Sequence, residues 1–218
     1  MFLSRLTLDP RHEGAARDLA VPYDLHRTLA TAFGEAPDGL HRSTHGILFR
    51  VDDAATGPTV LAQSVTVPDW SRLPHGYARR VDGPKPVSLA LANGQHLRFR
   101  LVANPVRRVR PDGRKHPQRL ALIHDRAGNG RPDGFLDWLE RQARAAGFAV
   151  LEVEHTPFRL HARRPLGQGL DKSRVPHFGV RFDGLLQVSD AEALEKAVRK
   201  GIGAAKSFGF GLLSLAPA

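Results

Sequence analysis

The chain has 218 residues, with 32 Lys+Arg against 22 Asp+Glu, a formal net charge of +10. It has no cysteine, which excludes disulfides, zinc–thiolate sites, iron–sulfur clusters and thiol catalysis. No apolar run reaches the roughly 18 residues of a membrane span, and the opening MFLSRLTLDP lacks the zones of an export signal, so a cytoplasmic protein is expected.

Phe2 to Leu8 alternates apolar and polar residues as a half-buried strand does. Pro22 suits the first turn of a helix, and Leu25, Leu29 and Phe33 recur at helical spacing until Gly34. Gly46 to Val51 and Thr59 to Val67 read as strands joined by DDAATGP. Between Trp70 and Asn93 the prolines at 74, 84 and 86 limit the chain to a helical turn and an edge strand.

His96 to Ala103 opens a second series. Asn104 to Pro117, rich in Arg and Pro, is expected as a loop; Gly134 to Ala146 reads as a helix and Phe148 to Val153 as a strand. Arg174 to Val188 is one long or broken strand after a loop holding Gly167 and Gly169. Ser189 or Asp190 then caps a helix to Lys200, and Leu212 to Leu215 closes as a strand. Both series follow the order β-α-β-β-α-β, the first with a degenerate second helix. The predicted fold is therefore α+β, two tandem ferredoxin-like (RRM-like) domains over residues 1–92 and 93–218.

Charge separates the two halves. Residues 1–92 hold 10 basic and 10 acidic side chains, residues 93–218 hold 22 and 12, so the whole excess lies in the second half. Arginine-rich composition alone also suits a solubilising surface, but clustering between Arg98 and Arg119 and between Arg159 and Arg181 is the footprint of a polyanion partner. Arginine's planar fork fits phosphates and guanine edges.

Two segments carry candidate chemistry. In VPYDLHR, Tyr23 and His26 lie three residues apart and share a helix face away from Leu25, Leu29 and Phe33. Placed near the helix start, His26 would be kept neutral by the macrodipole, as a general base requires, and a phosphate would be attracted. In GIGAAKSFGFG, Gly201, Gly203, Gly209 and Gly211 form a loop able to bring backbone N–H groups and Lys206 near a phosphate. It is no Walker loop, because Ala205 precedes Lys206 and a helix precedes the loop. It half-matches an RNA-recognition aromatic strand in the wrong position, so Phe208 and Phe210 are expected as packing residues. His41 and His45 lack a third ligand, and Asp52–Asp53 and Glu152/Glu154 read as a turn and a solvated face, so no metal site is predicted.

Taken in order and spacing, MFLSRLTLDP, VPYDLHRTL, LRFRLVANPVRR and GIGAAKSFGFGLLSLAP resemble the CasE (Cse-type) CRISPR RNA-processing endoribonucleases over nearly the whole chain. These belong to the repeat-associated superfamily of type I-E Cascade systems; the segment Leu101 to Pro105 departs from their LRANP pattern by one residue. The resemblance implies metal-independent cutting of precursor CRISPR RNA at the base of a repeat stem-loop, leaving a 2′,3′-cyclic phosphate. It also implies retention of the product among the other Cascade subunits, without a cofactor. By the same resemblance the catalytic His and Tyr fall on His26 and Tyr23, and the glycine-rich loop on Gly201, Gly203, Gly209 and Gly211.

The residues fit that chemistry. Attack of a 2′-hydroxyl needs a base, a proton for the departing 5′-oxygen and positive charge at phosphorus. His26 is assigned as base, and Tyr23 as phosphate-orienting group or proton donor, with the two roles exchangeable. Arg27, Lys206 and Ser207 are expected at phosphate oxygens. Arg107, Arg108, Arg159, Arg163, Arg164, Lys172 and Arg174 are expected on the stem. A non-catalytic CRISPR-RNA-binding subunit of the same superfamily is the alternative; a pure binder has no need of Tyr23 and His26 together.

Overall fold

The computed structural model describes residues 1–35, 44–110, 117–128, 133–165 and 172–218, with side chains left out over 161–165 and 172–176. The first half contributes β1 (Phe2–Leu8), α1 (Glu13–Ala20), α2 (Pro22–Ala30), β2 (Leu48–Ala54), β3 (Gly57–Ser64) and β4 (Ala78–Pro86). They form an antiparallel sheet of order β2-β3-β1-β4. The second contributes β5 (His96–Ala103), a hairpin of β6 (Val106–Val109) and β7 (Gln118–Ala121), α3 (Phe135–Ala145), β8 (Phe148–Pro165), β9 (Lys172–Val188), α4 (Ala191–Lys200) and β10 (Leu213–Pro217). Its sheet has the order β10-β5-β9-β8. In each, the first and third strands of the series lie central and the second and fourth at the edges, the order of a split βαβ pair. The fold is two ferredoxin-like units in tandem.

Apolar periodicity explains the two cores. Leu6, Leu8, Leu25, Leu29, Phe49 and Val60 close the first; Phe99, Leu101, Trp138, Phe148, Phe182 and Leu194 belong to the second. No helix among the described residues is long and apolar enough to cross a membrane.

Several elements differ from the sequence reading. Helix α1 was not expected; its N-cap is His12, whose Nδ1 accepts from Ala15 N–H at 3.2 Å. The β2–β3 hairpin is tighter than DDAATGP suggests, because the strands pair as far as Ala54 and Gly57. The expected loop from Asn104 to Pro117 holds strand β6, which pairs with β7 just beyond it, Arg108 directly opposite Arg119. Strand β8 runs on to Pro165 rather than ending at Val153, paired to β9 with one register shift between Val150 and Glu152. As expected, the second helix of the first half is only a short helical turn, a 3-10 turn at Trp70–Arg72 whose start Asp69 caps.

The halves meet through specific polar contacts. Gln63 on β3 donates to the carbonyl of Val198 at 2.8 Å, satisfying an acceptor in the last turn of α4. Arg50 on β2 donates to Asp52 and, at 2.9 Å, to the Ser214 hydroxyl on β10. Burial lowers the Arg50 pKa, opposed by Asp52. Arg100 also reaches Asp52 and Asp183, and Arg181 reaches Asp183, so three of the arginines lining the 790 Å³ cleft between the sheets, Arg50, Arg100 and Arg181, are paired with acids.

Candidate active site

Helix α2 presents its chemistry at the junction of the halves. Pro22 occupies the first turn, Leu25 and Leu29 are buried, and Tyr23 and His26 emerge on another face with ring centroids 6.5 Å apart. Their rings lie within 23° of parallel. His26 stands a full turn into the helix and half-buried, 6.2 Å from the Phe49 ring. It is therefore neither clear of the core nor at the helix start, and its distance from the terminus weakens the macrodipole argument, whose effect fades within the first turn.

From the other half, the glycine-rich loop folds against this face. All four of its glycines have positive φ, between 75° and 91°. At Gly211 a Cβ would lie 2.7 Å from the Ile202 carbonyl oxygen, so the loop cannot close on itself with a larger residue there. Three of the four glycine amides are committed inward: Gly201 donates to Ala197, Gly209 to Lys206 and Gly211 to Val102. Among the described residues, the N–H groups of Gly203, Ala204, Ala205 and Ser207 donate no such backbone bond, which leaves them able to meet an anion beside Lys206.

Lys206, Ser207 and Phe208 form a 3-10 turn packed on α2 and β2. Phe208 reaches Tyr23 at 5.6 Å between ring centroids, while Phe210 is buried in the interior. His177 on β9 lies 4.4 Å from Phe208, and burial lowers its pKa, favouring the neutral ring. Neither His177 nor the Tyr23–Phe208 contact was read from the sequence; both join residues distant along the chain.

The expected cations fall in separate places. Arg27 is exposed on α2, 3.8 Å from Asp24. Arg107 and Arg108 occupy β6, and Arg159 is exposed on β8 opposite Phe178. Arg163, Arg164, Lys172 and Arg174 lie on the distal backbone of the β8–β9 hairpin, and their side chains, like His41 and Gly167, fall outside what is described. His45 is a core residue, its Nδ1 2.9 Å from the Thr66 hydroxyl and its ring stacked on Phe33.

A groove of about 630 Å³ runs between the β6–β7 hairpin and the ends of α3 and α4, reaching Gly201–Lys206. Arg108, Arg119, Lys196, Lys200 and Lys206 line it, and no acidic side chain does so among the described residues. Arg119 ends a basic cluster already read as a polyanion footprint but was not assigned to the site, and Lys196 and Lys200 were missed in the sequence. The facing arginines on β6 and β7 could have been found only with the hairpin register known.

A family model described as CRISPR associated protein matches residues 1–217. The chain is 39% identical over 226 positions to the CRISPR-associated endoribonuclease Cse3 of Thermus thermophilus, covering all of both chains. It is 32% identical over 219 positions to the CRISPR system Cascade subunit CasE of Escherichia coli, again over both full lengths. A solved structure of Cse3 bound to a 19 nt RNA superposes with a TM-score of 0.82 at 38% identity, with full coverage of both chains.

Proposed function

Because this chain belongs to the CRISPR associated protein family, we propose that it is the endoribonuclease that matures CRISPR RNA, acting through Tyr23 and His26. The observation that carries this reading is the meeting of those two side chains, from one half, with the Lys206 turn from the other. The substrate is a repeat stem-loop, and the product stays bound to the protein as a Cascade subunit. A binding-only role leaves the Tyr23–His26 pair unexplained.

In the reaction, His26 takes the proton of the ribose 2′-hydroxyl as the O2′–P bond forms. The P–O5′ bond breaks, and the departing oxygen is protonated either by Tyr23 or by the imidazolium, Tyr23 in the latter case orienting the phosphate. Lys206 offsets charge growing on the phosphorane oxygens. Since the nucleophile belongs to the RNA, the product is a 2′,3′-cyclic phosphate and every proton transfer is served by side chains of this chain.

The stem lies along the cation-lined groove, which delivers it to the junction. Arg107, Arg108 and Arg159 supply phosphate contacts, as do Arg163, Arg164, Lys172 and Arg174 on the long hairpin. Arg27 and Ser207 flank the scissile phosphate. The domain boundary falls at residues 92/93, supported by the separate sheets and cores, although Leu89 and Leu91 already pack on the second core.

The test is incubation with an end-labelled cognate repeat stem-loop in excess EDTA. Cutting at the stem base, with a 5′ fragment whose end resists phosphatase until acid opens it, is the expected result. Loss of cutting in EDTA with recovery on added magnesium would overturn the metal-independent mechanism.

A further inference from the structure

The rings around Tyr23 continue beyond the reacting pair. Phe208 sits between Tyr23, 5.6 Å away, and His177, 4.4 Å away. His177 in turn lies 6.3 Å from Phe210, which stacks on Phe158 of β8 at 6.1 Å and 20°. A row of aromatic side chains thus runs from helix α2 to the paired strands β8 and β9.

The backbone is bent to place Phe208 in that row. Its 3-10 turn is bracketed by two left-handed residues, Ala205 at φ 58°, ψ 34° and Gly209 at φ 83°, ψ 16°. Ala205 is the one non-glycine residue with positive φ among the described residues. A Cβ in that conformation is strained, and such outliers persist where the surroundings over-determine them. Core packing does not require it here: Phe210, two residues later, is 1% exposed, whereas Phe208 remains half-buried against Tyr23. Without the ring of Phe208 beside it, a half-buried tyrosine near a helix start has alternative staggered rotamers open to it.

We propose that Phe208 is a positioning residue for Tyr23: seated on His177, it fixes the plane of the phenol and so the direction of its hydroxyl. This rests on the assignment of Tyr23 to the reaction. The effect is on geometry in the bound complex, so it lowers the rate of the chemical step and leaves RNA affinity alone.

Single-turnover cleavage of the repeat stem-loop, with RNA affinity measured in parallel, tests it. Phe208→Ala is expected to slow cleavage by about 10- to 100-fold, the scale of a small misplacement of a reacting group, with Kd within about threefold of wild type. Phe208→Tyr, which keeps the ring, restores the rate; Phe208→Leu, which keeps most of the volume without the flat face, gives an intermediate loss and serves if the alanine variant does not fold. In a Tyr23→Ala background, Phe208→Ala has no further effect. The proposal is overturned if Phe208→Ala and Phe208→Leu cleave at the wild-type rate, or if the loss persists undiminished in the Tyr23→Ala background. A wild-type rate for Tyr23→Ala itself would instead remove the catalytic assignment beneath it.

Discussion

The phenol of Tyr77 donates to the carboxylate of Asp18 at 2.9 Å, and both residues are wholly shut off from solvent. Thr28 of α2 donates to the same carboxylate oxygen, and Arg17 reaches the other at 3.2 Å. One acidic side chain on α1 therefore ties down α2, the helix carrying Tyr23 and His26, and the residue leading into β4. Burial and the hydrogen bond to Asp18 both raise the Tyr77 pKa, so the phenol stays a donor.

Asp18→Ala leaves the buried Tyr77 hydroxyl and the half-buried Thr28 hydroxyl without their acceptor, the buried one at a desolvation loss of about 1–3 kcal/mol. A total near 3 kcal/mol is expected, read as a lowered midpoint in urea unfolding. Asp18→Asn, which keeps an acceptor oxygen, loses less. Equal stability of Asp18→Ala and wild type would show that the network contributes nothing.

The facing arginines 108 and 119 give a prediction of opposite signs. Like charges directly across an antiparallel pair are unfavourable by a few tenths to about 1 kcal/mol. Arg119→Glu should therefore raise the stability of the free protein while weakening RNA binding. Replacing both arginines by alanine should reduce the slope of log K against log salt by about 2, one per lost phosphate contact. An unchanged slope would place the RNA elsewhere.

The imidazole of His177 links stability to pH. Burial depresses its pKa in the folded state, so the unfolded chain binds the proton more readily. Its contribution is present above the unfolded value and is lost as pH falls through the folded one. Thermal unfolding at pH 7.5 and pH 5 should show a smaller fall in Tm for His177→Phe than for wild type. Identical falls would assign the acid sensitivity to other groups.

How much could be read in advance follows from where each signal resides. Strands β1 and β5 alternate cleanly because one face of each is buried, and α4 shows both its Asp190 cap and its apolar period. Helix α1 escaped because its core-facing residues are small and its cap is a histidine rather than a hydroxyl or Asx side chain. The far half of β8 escaped because it runs beyond the core, held by pairing to β9, and its composition reads as loop. The same division applies to the site. Tyr23 and His26 were legible as a helical i,i+3 pair, but the seat of Phe208 on His177 depends on two strands and a turn meeting in space.

The proposed role of His26 is to perform the chemistry rather than merely to hold RNA. Its most direct test is the single-turnover cleavage rate of His26→Ala on a cognate repeat stem-loop, measured together with RNA affinity. A rate loss of about 100-fold or more, the range for a lost general base, with Kd within about threefold of wild type, is predicted; cleavage at the wild-type rate would contradict it.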